Sequence, residues 1–131
     1  MREIWFRGKR KDDGVWVQGD FVSSGFGIAY EDYLNEYGDV GYVYRDVIPE
    51  TIGQYTGLTD KNGKKIFEGD IVTAHFKSNR HRTTFKVDVM DGMFIFDNGL
   101  ARVNFWDIYC LKVIGNIHDN PELLKSGVQG E

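Results

Sequence analysis

The side chains able to do chemistry are few and scattered. His75, His81 and His118 are the histidines, and Cys110 is the single cysteine. A zinc site needs Cys, His or carboxylate ligands at short, repeated intervals. His75 and His81 match no such interval, and no acid or cysteine joins either one, so no metal is expected. Cys110 would need a base delivered by the fold to act as a nucleophile. One cysteine allows no internal disulfide, and the simpler expectation is a small buried apolar residue on a strand. Glu68, Asp70, Asp107 and Asp119 lie near expected corners, where carboxylates commonly accept backbone amides. Neither a P-loop nor Gly-x-Gly-x-x-Gly between a strand and a helix is present, and Gly25-Phe26-Gly27 lacks that setting. Ser23, Ser24, Ser78 and Ser126 sit in loop-like surroundings without a nucleophile elbow. No catalytic residue and no cofactor is assigned, and the reading leans away from an enzyme.

Two clusters suit binding instead. Lys77, Arg80, His81 and Arg82 fall within six residues between two expected strands. Cations on an inter-strand loop can contact phosphates, though a charged hairpin tip also serves solubility. Tyr30, Tyr33 and Tyr37 recur at three- to four-residue spacing in an acidic stretch. That spacing predicts a helical turn over 31–37. Its tyrosines either pack on a sheet edge or offer rigid contact area to a protein. A protein of unknown identity is the expected partner; nucleic acid held by 77–82 is the alternative. Strand edges leave self-association open.

The elements that position these residues are short strands. Asp60-Lys61-Asn62-Gly63 fits a type I turn, with Asp bonding forward and Gly at the last position. It joins 51–58 to 65–67 as a hairpin. Gly69-Asp70 makes a second corner. Beyond it Val72, Ala74 and Phe76 alternate as a core face. Strands are also expected at 3–7, 15–23, 40–48, 83–89, with Phe85, Val87 and Val89 inward, then at 93–96, 100–105 and 109–113. A turn signal every ten residues or so is the pattern of a small barrel or sandwich. Asp13-Gly14 followed by Gly19-Asp20 weakly echoes Asn62-Gly63 followed by Gly69-Asp70. At the end, Asn120-Pro121-Glu122 opens a short helix.

Composition agrees with a globular, mainly β chain. Of 131 residues 41% are hydrophobic and 27% charged, well away from disorder. Aromatics at 15%, with 16 glycines and only 2 prolines, favour twisted strands and tight turns over helices. The net charge of −4 argues against a basic footprint over the whole chain, leaving only a local patch. No apolar run reaches the roughly 18 residues of a membrane span, and the first residues hold no apolar signal core. A cytoplasmic location is expected.

The order Gln54-Tyr55-Thr56-Gly57-Leu58-x-Asp60-x-Asn62-Gly63-x-x-Ile66-x-Glu68-Gly69-Asp70-Ile71-Val72 resembles the YopX family of phage and prophage proteins. Arg2 to Arg10, Trp16 to Asp20, and Val113 to Leu124 agree with it, in the family's order. The resemblance implies a cytoplasmic, mostly β protein containing an SH3-like barrel, and no established activity. Residues 26–44 and 77–82 lie outside what matches. The expected architecture is therefore mainly β, with several twisted antiparallel sheets, one an SH3-like barrel, and a short C-terminal helix. Residues 1–49 would form an N-terminal β extension with a Tyr-rich excursion. Residues 50–131 would form the barrel unit.

Overall fold

Alternating apolar and polar residues, dense in Val, Ile, Thr and aromatics, favour half-buried strands, and strands dominate the computed structural model. It describes residues 4–22, 25–33, 37 and 40–125. In chain order the elements are β1 (Phe6–Lys9), β2 (Trp16–Val22), β3 (Gly27–Tyr33), β4 (Val40–Asp46), a 3-10 turn (Pro49–Thr51), β5 (Gly53–Thr59), β6 (Lys65–Phe67), β7 (Asp70–Phe76), β8 (Arg82–Met90), β9 (Met93–Asp97), β10 (Arg102–Val103), a second 3-10 turn (Phe105–Asp107), β11 (Ile108–Asn116) and α1 (Glu122–Lys125). The strands form two antiparallel sheets. The chain divides into two compact units, Met1–Tyr55 and Thr56–Glu131.

In the first unit the strand order is β4-β3-β2-β1-β5. Strand β2 changes partner half-way. Trp16 to Gly19 pair with β1, and Asp20 to Val22 pair with β3. The handover is at Gly19, where a Cβ would collide with the Ala29 carbonyl oxygen, so the close approach requires glycine. Val17, Ile28 and Val47 form the core, with Phe6, Phe21, Tyr30 and Ile52 packed on it. The helical turn predicted over 31–37 is not what forms at its start. Glu31, Asp32 and Tyr33 continue β3 and pair with Tyr42, Gly41 and Val40. Pairing satisfies more backbone groups there than one isolated helical turn would, and that overrides the spacing. Residues 34–36 of that prediction lie outside the described residues.

In the second unit β6 lies beside β5, and the other strands run β10-β9-β8-β7-β11. Among the described residues no pairing closes this sheet into a barrel. Ile66, Val72, Ala74, Phe85, Val87, Phe96 and Ile108 are its buried core. Phe85 packs edge-on against both Phe76 and Phe96, with centroids 5.5 and 6.3 Å away. Val89, expected inward, is 41% exposed, because the core ends one pair earlier at Val87. Ile71 is buried although it points away from Val72 and Ala74. The strand expected at 100–105 shrinks to Arg102–Val103, and Phe105 turns into 3-10 geometry under an Asn104–Asp107 capping box. The Asn120 Oδ1 accepts the Asn116 amide at 3.2 Å, tying the approach to α1 back onto β11.

The two Gly-Asp corners differ. Gly14 and Gly63 both take positive φ, +72° and +82°. Gly69 does so as well, and its partner Asp70 is buried, with Oδ2 accepting the Phe67 amide at 2.8 Å. Gly19-Asp20 instead lies in mid-strand with Asp20 exposed. The echo between the halves is shared turn chemistry rather than shared corners.

Asp60 accepts three backbone amides through its carboxylate. Gly63 N donates to its carbonyl at 2.9 Å, closing the predicted turn. Its Oδ1 accepts the amides of Asn62 and Lys64, both at 2.9 Å. Its Oδ2 accepts the amide of Val113 on β11, also at 2.9 Å, across 53 positions of chain. Burial alone would raise the carboxyl pKa. The amides of Val113, Lys64 and Asn62, helped by the Lys64 charge, outweigh burial and hold it below the usual carboxylate value. A carboxylate with a depressed folded-state pKa stabilises the fold above the unfolded value of about 3.9, and that stabilisation fades as pH falls through the folded value. Asp60→Ala is therefore expected to lower stability by roughly 2–4 kcal/mol at neutral pH. Denaturant titrations at pH 7 and below pH 4 will show the difference between wild type and variant shrinking at the acid end.

Candidate functional site

The tyrosines of the first unit sort onto opposite faces of the β3–β4 hairpin. Tyr30 pairs with Val43 and packs on the core, and its hydroxyl accepts from Arg10 Nη1 at 3.3 Å. Tyr30 is thus half-buried, with its ring on the inner face. Tyr33 ends β3, and its side chain is outside the described residues. Tyr37 is 83% exposed in the connection to β4. Sequence spacing missed two partners, Tyr42 and Tyr44. They lie two apart on β4, on one face, and both are exposed. Their signal was period two rather than a helical interval. The Tyr44 ring lies over Gly27, where a Cβ would overlap it. Its hydroxyl is hydrogen-bonded to Asp46, which together with burial and the Asp46 charge raises its pKa.

Beside this face is a cleft of about 380 Å³ lined by Trp5, Gln18, Asp20, Ala29 and Tyr42, among others. Among the described residues one acid, Asp20, borders it, without a histidine, lysine or second acid. It therefore offers contact area and a few hydrogen bonds rather than an acid–base pair. Nearby on β1 and β2, the buried Arg7 guanidinium lies 4.7 Å from the Trp16 ring centroid, and Lys9 Nζ lies 5.7 Å from it.

In the second unit the basic residues sit where β7 turns into β8. Lys77, Arg80 and His81 are on the connection, and Arg82 begins β8; all four are exposed. The loop is tightly made. Arg80 N donates to Phe76 O at 2.8 Å with Arg80 at φ +64°, and Phe76 N donates to His81 O at 3.0 Å. Lys77 N donates to Asp107 O at 3.0 Å, which brings the second 3-10 turn alongside. That turn exposes Phe105 and Trp106, whose rings are 5.1 Å apart.

Cys110 corrects an expectation. It is exposed rather than buried. Strand β11 shifts register between Tyr109, opposite His75, and Lys112, opposite Thr73. One extra residue is accommodated there, and Cys110 takes it with φ +60°. The bulge turns Leu111 and Val113 onto the core and leaves Tyr109 and Lys112 on the other face. Simple alternation from Ile108 would have pointed Cys110 inward.

The remaining chemical candidates stay apart or serve the backbone. Asp107 Oδ2 accepts the Asn104 amide at 3.4 Å, and Asp119 Oδ2 accepts from Asn116 Nδ2 at 3.2 Å. His75 stacks on Tyr109 at 5.3 Å between centroids. Among the described residues no group of three or more His, Cys, Asp or Glu is placed to hold a metal ion. No helix among them is long and apolar enough to cross a membrane.

Residues 5–125 match the family model described as YopX protein. The chain belongs to the YopX family. A similar solved structure is that of protein EF1440 from Enterococcus faecalis. It is 29% identical, with a TM-score of 0.60, and the alignment covers 95% of this chain and 99% of that one. No curated protein matches. Among the residues that carry the YopX resemblance, 54–72 hold the Asp60 turn and the Asp70 corner, whose carboxylates accept backbone amides.

The bulge makes a direct prediction. Cys110 in native protein should react with a thiol reagent at a rate close to that of a free thiol, without denaturant. Protection until unfolding would contradict the register of β11.

Proposed function

We propose that this YopX-family chain is a phage or prophage accessory protein that works as a non-enzymatic protein-interaction module, with the first unit's tyrosine face as the contact surface. The supporting observation is the exposure of Tyr37, Tyr42 and Tyr44 on one hairpin, with Tyr42 lining the adjoining cleft. Tyrosine supplies large, stiff, amphipathic contact area and is enriched among residues that dominate binding energy. Strand β4 also has one neighbour, β3, among the described residues. Its outer edge can take an added strand from a partner. The acidic excess of the whole chain falls in this unit, while the second is balanced. A partner carrying a basic rim is therefore favoured. In the same reading residues 50–131 are an SH3-like unit, supported by five strands with a bulged last strand rather than by closure of the sheet.

The test couples capture to the surface. Immobilised wild type and a Tyr37→Ala/Tyr42→Ala variant are exposed to the same bacterial lysate, and retained proteins are identified and re-measured pure. A partner held by wild type should bind the double variant at least about 30-fold more weakly, the loss of a hot spot of about 2 kcal/mol, with the melting temperature unchanged. Partners indifferent to both tyrosines, or none above background, would refute the proposal.

A further inference from the structure

The outer face of the second unit's sheet is covered at one end and bare at the other. Cross-strand register sets out its rows. Lys86 and Gly115 flank Ile71; Thr84 and Lys112 flank Thr73; Arg82 and Tyr109 flank His75. At the first row α1 packs against β8, Leu124 lies by Lys86 and Asp97, and Ile71 is fully buried. Among the described residues no helix lies over the next two rows, where Arg82, Tyr109 and Lys112 are exposed and Thr73, Thr84 and His75 are half-buried. Their six side chains are two cations, a histidine, a tyrosine and two threonines, and neither row contains an acid. His75 and Tyr109 are stacked, 26° from parallel, and Tyr109 is 39% exposed. Exposed Lys77 and Arg80 extend the positive charge along the tip, and exposed Trp106 adds an aromatic face beside it. The nearest acid in sequence, Asp107, has its carboxylate turned to the Asn104 amide. Lys86, by contrast, is ion-paired with Asp88 at 3.5 Å at the covered end.

We infer that this bare face binds single-stranded nucleic acid, with bases stacking on the Tyr109–His75 platform and phosphates held by Arg82, Lys112 and the tip cations. Flat rings flanked by cations at inter-strand spacings of about 4.8 Å suit an unpaired strand, whose bases are free to lie on the sheet. A duplex keeps its bases stacked inside and could use only the charges. An acidic peptide would satisfy the cations but leave the ring faces without a flat partner. The threonine hydroxyls between the cations can donate to phosphate or sugar oxygens. The surface belongs to the second unit, and the inference does not rest on the tyrosine face of the first.

Fluorescence anisotropy with labelled oligothymidylate and oligouridylate, against a duplex of equal length, tests this at low and moderate salt. Wild type should prefer the single strands, and its affinity should fall as salt rises. Tyr109→Ala should weaken single-strand binding about 5- to 150-fold, the worth of one stacked base. Tyr109→Phe should bind as wild type does. Arg82→Ala with Lys112→Ala should reduce the slope of log affinity against log salt by about 1.4, or 0.7 for each phosphate left without its cation. Tyr37→Ala/Tyr42→Ala should leave binding unchanged. Circular dichroism confirms that each variant is folded. No single-strand binding at low salt, binding indifferent to Tyr109→Ala while Tyr109→Phe is folded, equal preference for the duplex, or displacement by polyglutamate as effective as by unlabelled oligonucleotide would each overturn the inference.

Discussion

One carboxylate holds the second unit's geometry. Asp60 closes its own turn through Asn62 and Lys64 and reaches across to the amide of Val113. On the neighbouring residue, Lys61 N donates to Leu111 O at 2.8 Å. These two bonds bracket Lys112, immediately after the bulge at Cys110. The turn thereby fixes the register in which β11 leaves its irregularity. A slip of one residue would exchange Leu111 and Val113 for Lys112 on the core face. Burying a lysine without a partner costs far more than any local preference of the strand. The turn's charge is thus used to specify a strand register.

The same register decides what the outer face displays. With β11 pinned, Tyr109 lands against His75 and Lys112 beside Thr73. Among the described residues the helix covers one end of the sheet only, and Arg82, Tyr109 and Lys112 stay exposed at the other. The two surfaces proposed for binding follow from strand register rather than from a recognisable motif. The first unit shows the same logic. Pairing of β3 with β4 puts Tyr30 on the core and Tyr42 and Tyr44 outside. Among the described residues no group of three or more His, Cys, Asp or Glu could hold a metal ion, and the carboxylates of Asp60, Asp70 and Asp107 accept backbone amides.

Much of the fold was legible because its signals are local. Turns at Asp60–Gly63 and Gly69-Asp70, the alternation of Val72 with Ala74, and the short helix after Pro121 all follow from residues within a few positions of each other. One of the YopX segments, 54–72, contains two of these corners. Errors came where a distant partner overrode the local pattern. Residues 31–33 have helical spacing but a strand to pair with. Val89 alternates correctly but lies past the end of the core. Cys110 is apolar and in phase with Ile108, yet the bulge takes it out of phase. Of the named site residues, Lys77, Arg80, His81 and Arg82 are together and exposed, whereas Tyr30 and Tyr37 have opposite surroundings.

By itself, the sequence determined where the chain turns and which segments extend, because a turn's free energy resides in the φ preferences and side-chain bonds of four or five consecutive residues. It determined the β class and the family for the same reason. Only the tertiary structure decided which face each strand shows. That choice depends on register, and register here rests on hydrogen bonds between residues as far apart in the chain as Asp60 and Val113.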